Sequence, residues 1–131
     1  MLYLDSSALV RLVLTEPESS VLAGVVRTGP GMISSALARI EVIRAVRRKG
    51  PVEEKSARLL MASVDSVDIT DQIINEAGRI GRLQLRSLDA IHLATALELR
   101  SALTGFVAYD RRLLDAAAAL GLRPMSPGLD G

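Results

Sequence analysis

Residues 1–16, MLYLDSSALVRLVLTE, begin with a short apolar run, place an acid at position 5, and resume an apolar run that Arg11 interrupts. An extended LYL followed by Asp5 and two serines, and then by a helical repeat, reads as a strand that hands the chain directly to a helix. The stretch has no basic leader and carries charge inside its apolar runs, so a signal peptide is not expected here. What it predicts instead is the first unit of an alternating α/β pattern.

That pattern continues to the other end. Strands are expected at 2–4, 32–34, 67–69 and 105–108, with a weaker one at 123–125. Helices are expected at 7–14, 18–27, 35–49, 52–64, 71–83, 88–100 and 111–120. Pro17 and Pro51 fall where a first helical turn tolerates a missing N–H, and Gly50 and Gly121 fall just past helix ends. Ser35, Thr70 and Ser87 can each accept a bond from the orphan N–H groups of the helix that follows. Strands and helices alternating in this way predict a three-layer α/β/α domain around a mainly parallel five-stranded sheet. The domain is expected to span residues 1–126, leaving 127–131 as a short C-terminal tail.

Composition narrows the chemistry. At 131 residues, 49% of them apolar, the chain can bury a core of its own as one domain. Sixteen basic residues against 15 acidic ones leave a formal charge of +1, so a polyanion would have to be met by a local patch and not by a whole-molecule field. With no cysteine and with His92 as the single histidine, thiolate chemistry, disulfides and histidine-rich metal sites are excluded. No window approaches the roughly 18 uninterrupted apolar residues of a spanning helix, and a soluble, cytoplasmic protein is expected.

Four acids stand out. Asp5 and Asp110 directly follow the first and fourth expected strands, where an open α/β sheet keeps its working cleft. Either can also be read as a helix N-cap. Asp89, in SLDAIHLATAL, lies in the first turn of an apolar helix, where the macrodipole already favours a negative charge. Glu41, in ARIEVIRAVRR, has Arg44 three residues on, and a solvated ion pair would account for it.

Their convergence changes the balance. Helical spacing puts Asp89, His92 and Ala96 on one stripe of a helix otherwise suited to burial, so that stripe borders something polar. If the first and fourth strands are neighbours, Asp5 and Asp110 lie side by side, and the start of the 88–100 helix can reach them. Several carboxylates so close are costly to keep ionised, and a divalent cation removes that cost. An all-oxygen donor set suits Mg²⁺ or Mn²⁺. Such an ion makes phosphodiester hydrolysis the natural reaction. Arg44, Arg86, Arg111 and Arg112 lie next to these acids in the sequence and are candidate contacts for a phosphate backbone. With Tyr3, Phe106 and Tyr109 as the aromatics, stacking on many bases is not expected.

The segments LYLDSSALVRL, ARIEVIRAVRR, LRSLDAIHLATAL and VAYDRRLLDAAAALGL, in this order and spacing, resemble the PIN domain, and among PIN proteins the VapC toxins of bacterial toxin–antitoxin pairs. The resemblance covers nearly the whole chain. It implies a Mg²⁺- or Mn²⁺-dependent endoribonuclease that cuts RNA and arrests translation and growth. By motif position it implies Asp5, Glu41, Asp89 and Asp110 as catalytic acids, with Asp5, Asp89 and Asp110 as ligands of the main ion. Glu41 would orient water or help hold a second ion, and Ser7 matches a hydroxyl residue that commonly supports the first acid. His92 is expected as a structural neighbour in the cleft wall. Many relatives carry Thr or Ser two residues before the late acid, where this chain has Ala108.

The resemblance also implies a homodimer and a small cognate VapB-like antitoxin whose tail lies across the active site. The apolar segments VRLVL and VLAGVV are the candidates for one of those contacts. The rival readings are a PIN nuclease of RNA maturation or DNA processing, a PIN domain that binds without cleaving, and a receiver-like signalling domain. The last should show adjacent acids after the first strand and a Lys after the last; here DSS follows the first strand, and the lysines are Lys49 and Lys55.

Overall fold

The structure, a computed structural model, describes residues 1–129. Strands β1 (Leu2–Leu4), β2 (Met32–Ser35), β3 (Asp65–Val67), β4 (Gly105–Val107) and β5 (Pro124–Met125) form one sheet in the order β3-β2-β1-β4-β5. Every pairing is parallel. Among the described residues the helices are α1 (Ser6–Arg11), α2 (Ser19–Arg27), α3 (Leu37–Val46), α4 (Pro51–Ala62), α5 (Asp71–Ala77), α6 (Ser87–Glu98) and α7 (Arg111–Ala119). This sheet order differs from the 2-1-3-4-5 order of receiver-like domains.

Side chains of a strand point alternately to its two faces, and each face here has its own core. Leu2, Leu4 and Val107 pack with Leu9, Leu22, Ala38 and Val42 of α1 to α3. Tyr3, Phe106 and Ala108 pack on the other side with Leu93 and Ala96 of α6 and Leu113 and Ala117 of α7. Cutting a fully buried leucine such as Leu9 or Leu93 back to alanine costs about 2–5 kcal/mol. Gly105 leaves room for a neighbour: a Cβ there would lie 2.2 Å from Met125 Sδ, so the Met125 side chain occupies the space that a larger residue at 105 would need. No described helix is long and apolar enough to cross a membrane.

Topology places the site. From β1 the chain lays β2 and β3 to one side, then crosses to lay β4 and β5 on the other. The crevice between the carboxyl ends of β1 and β4 is therefore the switch point of the sheet.

Several boundaries differ from the sequence expectation. β3 starts at Asp65 and ends at Val67, two residues ahead of the expected 67–69 run. It is an edge strand with Asp65 and Ser66 exposed, so its polar residues sit in the ladder and hydrophobicity is a poor guide to its register. α5 stops at Ala77, six residues short of 83, and the chain turns through Gly81 at φ +75° into an exposed loop. Ser87 does not cap α6: it is the first helical residue, and Arg86 stands at the cap position without a side-chain bond to the helix. Thr70 does cap, accepting from Ile73 N–H at 3.2 Å, and Ser35 accepts from Leu37 N–H at 3.1 Å. At the C-terminal end Pro127 C=O accepts from the Tyr109 hydroxyl at 2.8 Å; residues 130 and 131 of the expected tail lie outside the described residues.

Candidate active site

Asp5 ends β1, and its N–H donates to Val107 C=O at 3.0 Å, which locks the corner to β4. Its Oδ1 accepts from Ala8 N–H at 3.0 Å, capping α1, and from Ser7 Oγ at 2.7 Å. Ser7 Oγ accepts in turn from Tyr109 N–H at 3.2 Å, so one hydroxyl ties the β1–α1 corner to the β4–α7 corner. The carboxyl is buried, and its Oδ2 receives no hydrogen bond among the described residues. Burial raises the pKa of Asp5 above the usual carboxylate range, and the bonds from Ser7 and Ala8 only partly offset it; the charge of Asp89 adds to the rise.

Asp110 is a second cap with a second job. Its Oδ1 accepts from Leu113 N–H at 3.2 Å, while Oδ2 lies 3.4 Å from Arg86 Nη2. The N-cap reading is seen at both acids, and each carboxylate keeps its second oxygen off its helix. Asp89, half-buried in the first turn of α6, has its Oδ2 3.6 Å from Arg86 Nε. Burial raises its pKa; Arg86 pulls it down, and the charges of Asp110 and Glu41 push it up. The influence of Asp89 on Asp5, and of Asp110 and Glu41 on Asp89, marks one shared electrostatic environment.

The structure does not support the bland alternative for Glu41, a solvated pair with Arg44. Among the described residues it makes no ion pair with Arg44. Its Oε1 accepts from His92 Nε2 at 2.8 Å and from Ser6 Oγ, binding α3 to α6 and α1. Burial alone would raise its pKa, but these hydrogen bonds outweigh burial and hold the carboxyl below the usual range. Taken together, the acids are near neighbours without forming a closed cage: among the described residues no three Asp, Glu or His side chains already converge on one cation position.

The PIN domain family matches this chain over residues 2–119. The chain belongs to the PIN domain family. This PIN domain is 44% identical over 126 residues to Ribonuclease VapC46 of Mycobacterium tuberculosis, a match covering 96% of this chain and 97% of that protein. It is 41% identical over 133 residues to Ribonuclease VapC47 of the same species, covering 98% of each. Among solved structures it is similar to M. tuberculosis VapC20, described as a sarcin-ricin loop cleaving toxin, with TM-score 0.76 at 15% identity over 97% of this chain and 100% of that one. A toxin–antitoxin complex from Klebsiella pneumoniae gives TM-score 0.74 at 19% identity, covering 97% and 98%. These two likenesses speak for the fold.

The candidate arginines of the PIN domain are spread around the acids. Arg44, together with Arg47, Arg48, Ile40 and Leu88, lines an open cleft of about 750 Å³ beside Glu41. Arg86 spans Asp89 and Asp110. Arg112 lines a separate groove of about 540 Å³ with Arg82, Gln84 and Asp115, and Arg111 is exposed in the first turn of α7. Ala108 is wholly buried beside Tyr3, Leu93 and Phe106. Sequence reasoning passed over Ser6 and Tyr3 and treated His92 as mere wall. Ser6 had a faint signal as the hydroxyl next to Ser7; the reach of Tyr3 to His92 had none, because it crosses 89 residues.

Proposed function

We propose that this PIN domain is a VapC-type endoribonuclease toxin that hydrolyses RNA phosphodiester bonds and is silenced by a cognate VapB-like antitoxin. The carrying observation is the gathering of Asp5, Asp89, Asp110 and Glu41 at the switch point of the sheet, with burial pushing Asp5 and Asp89 toward neutrality. Relatives named as ribonucleases support RNA as the substrate.

The donor set fits Mg²⁺ or Mn²⁺. It is all oxygen, and among the described residues Asp5 Oδ2 has no hydrogen-bond donor of its own. Asp5, Asp89 and Asp110 would hold the ion, which when bound supplies an acidified water and neutralises charge on the phosphoryl group. The chain does the rest. Glu41 stays ionised through His92 and Ser6, and its free Oε2 can accept a hydrogen bond from the attacking water. Arg86, 78% exposed, can leave the acids for the RNA backbone, with Arg44, Arg111 and Arg112 as further contacts.

An antitoxin arginine would find a place among these acids, where the protein's own Arg86 already makes that kind of contact. Homodimerisation and a cytoplasmic setting belong to the same reading. The early helices have most of their apolar surface against the core, with Leu9 and Leu22 fully buried and Val21 half-exposed, so Ile40 and Leu88 beside the site are the better placed apolar contacts. The test is cleavage of single-stranded or looped RNA by the purified chain with added Mg²⁺ or Mn²⁺. Chelator and Asp89→Asn should each silence it, and cleavage indifferent to EDTA would overturn the metal-dependent reading.

A further inference from the structure

Behind the acidic cleft runs a file of polar groups. Tyr3 Oη lies 2.7 Å from His92 Nδ1, and His92 Nε2 lies 2.8 Å from Glu41 Oε1. The three residues come from β1, α6 and α3. Tyr3 and His92 are buried, while Glu41 reaches the cleft with 23% of its side chain exposed.

We propose that His92 is a positioning residue: Tyr3 holds its ring in the Nε2-protonated tautomer, and that N–H fixes Glu41 Oε1 so that Oε2 is presented to the reacting water. The proposal rests on Glu41 serving RNA cleavage. Direction follows from what each group can do. A carboxylate only accepts, so the proton between His92 and Glu41 sits on Nε2. A neutral imidazole then offers a lone pair at Nδ1, and the Tyr3 hydroxyl is the donor within reach. Ser34 and Thr95, the hydroxyls beside Tyr3, have committed their own protons to Leu4 C=O at 2.6 Å and Ile91 C=O at 2.7 Å. Their oxygens could only accept from the phenol, and among the described residues the hydrogen bond the Tyr3 hydroxyl makes is the one to His92 Nδ1. Burial also pushes the Tyr3 pKa up, so the phenol keeps the proton it donates.

The aromatic packing removes slack. Tyr3 stacks on Phe106 with centroids 5.3 Å apart and planes 5° off parallel, and meets His92 edge-on at 5.8 Å. Neither ring can turn without opening the core. For packing alone, apolar side chains of the same volume would serve at least as well, since burying polar groups costs desolvation. This file instead ends on a carboxylate at the cleft.

The chain has one histidine, so its ring nitrogens can be read without ambiguity. In ¹⁵N-labelled protein without metal or RNA, NMR at neutral pH should find Nε2 protonated and Nδ1 bare. Tyr3→Phe, which keeps the ring stack, should shift the Nδ1 resonance. A wild-type ring protonated at Nδ1, alone or together with Nε2, would overturn the proposal. In cleavage assays His92→Leu should lower kcat by about 10–100-fold with KM for RNA changed by less than about threefold, the range of lost positioning groups. His92→Gln can place an amide N–H near the Nε2 position and should restore most of kcat. On a Glu41→Gln background His92→Leu should change little, whereas additive losses would show that His92 acts elsewhere. Should His92→Leu fail to fold, Tyr3→Phe carries the same cycle. EDTA-resistant cleavage would strike the metal reading and leave the tautomer measurement standing.

Discussion

The two halves of the cleft hold acids in opposite conditions. Asp5 and Asp89 are pushed up in pKa by burial, and Arg86 touches Asp89 and Asp110 from the solvent side through contacts of 3.4–3.6 Å. Across from them, Glu41 is pulled down by an internal histidine and a serine, and its Oε1 is fully engaged. One half has only an exposed arginine against its acids and is open to a cation from outside. The other is completed by the protein itself and is ready before any ligand arrives. A carboxylate's role in this site therefore follows from its hydrogen-bond donors more than from its identity as an acid.

The sharpest way to break that contrast is to remove charge from each half in turn. Asp89→Asn should lower cleavage by at least about 10²-fold and weaken Mn²⁺ binding measured by calorimetry, because a ligand is lost. Glu41→Gln should lower kcat by roughly 10–100-fold while Mn²⁺ affinity changes much less. Equal loss of metal binding in both variants would merge the halves and make Glu41 a principal ligand.

Stability should respond with opposite signs. The raised pKa of Asp5 means the folded chain holds its proton more readily than the unfolded one, so stability drains away as pH rises from the ordinary carboxylate range through the raised value. In metal-free buffer Asp5→Asn, whose amide oxygen can still cap α1, should therefore melt a few degrees higher than the parent at pH 7, on the order expected for about 1 kcal/mol, with the gap closing in acid. The lowered pKa of Glu41 gives stability that is present above the ordinary value and is lost as pH falls through the lowered one. Glu41→Gln should melt lower than the parent at neutral pH. Thermal melts across pH check both, and a like-signed pair of shifts would dissolve the distinction.

The smallest effect belongs to Arg86. Its contacts are solvent-exposed and contribute no more than about 1 kcal/mol, so Arg86→Ala should leave the melting temperature nearly unchanged. RNA affinity should fall modestly, and the slope of log affinity against log salt should drop by about one phosphate contact. An unaltered salt slope would mean that Arg86 stays on the acids when RNA binds.

Much of this was legible in the chain. LYLD and GFVAYD put acids at strand ends because apolar runs that stop at a charge mark where a buried strand emerges, and β1 and β4 did prove adjacent. Where the sequence misled, a local signal competed with a distant one. Arg44 looked like the partner of Glu41 at helical spacing, yet Glu41 bonds Ser6 and His92. Ser87 looked like a cap by residue type, yet the chain enters α6 one residue earlier. The 71–83 pattern continued past Gly78 without saying where packing ends, and the helix stopped at Ala77.

The sequence by itself determined the alternation of strand and helix, the four acids, and the apolar helix on which Asp89 and His92 stand three residues apart, because each of those depends on neighbours within a turn or a pleat. Which oxygen caps a helix and which faces the cleft was decided only by the tertiary structure. So was the file from Tyr3 through His92 to Glu41, which closes contacts across 89 and 51 residues. Hydrogen bonds of that reach arise from the stacking of layers, and no periodicity along one chain encodes which donor will meet which acceptor.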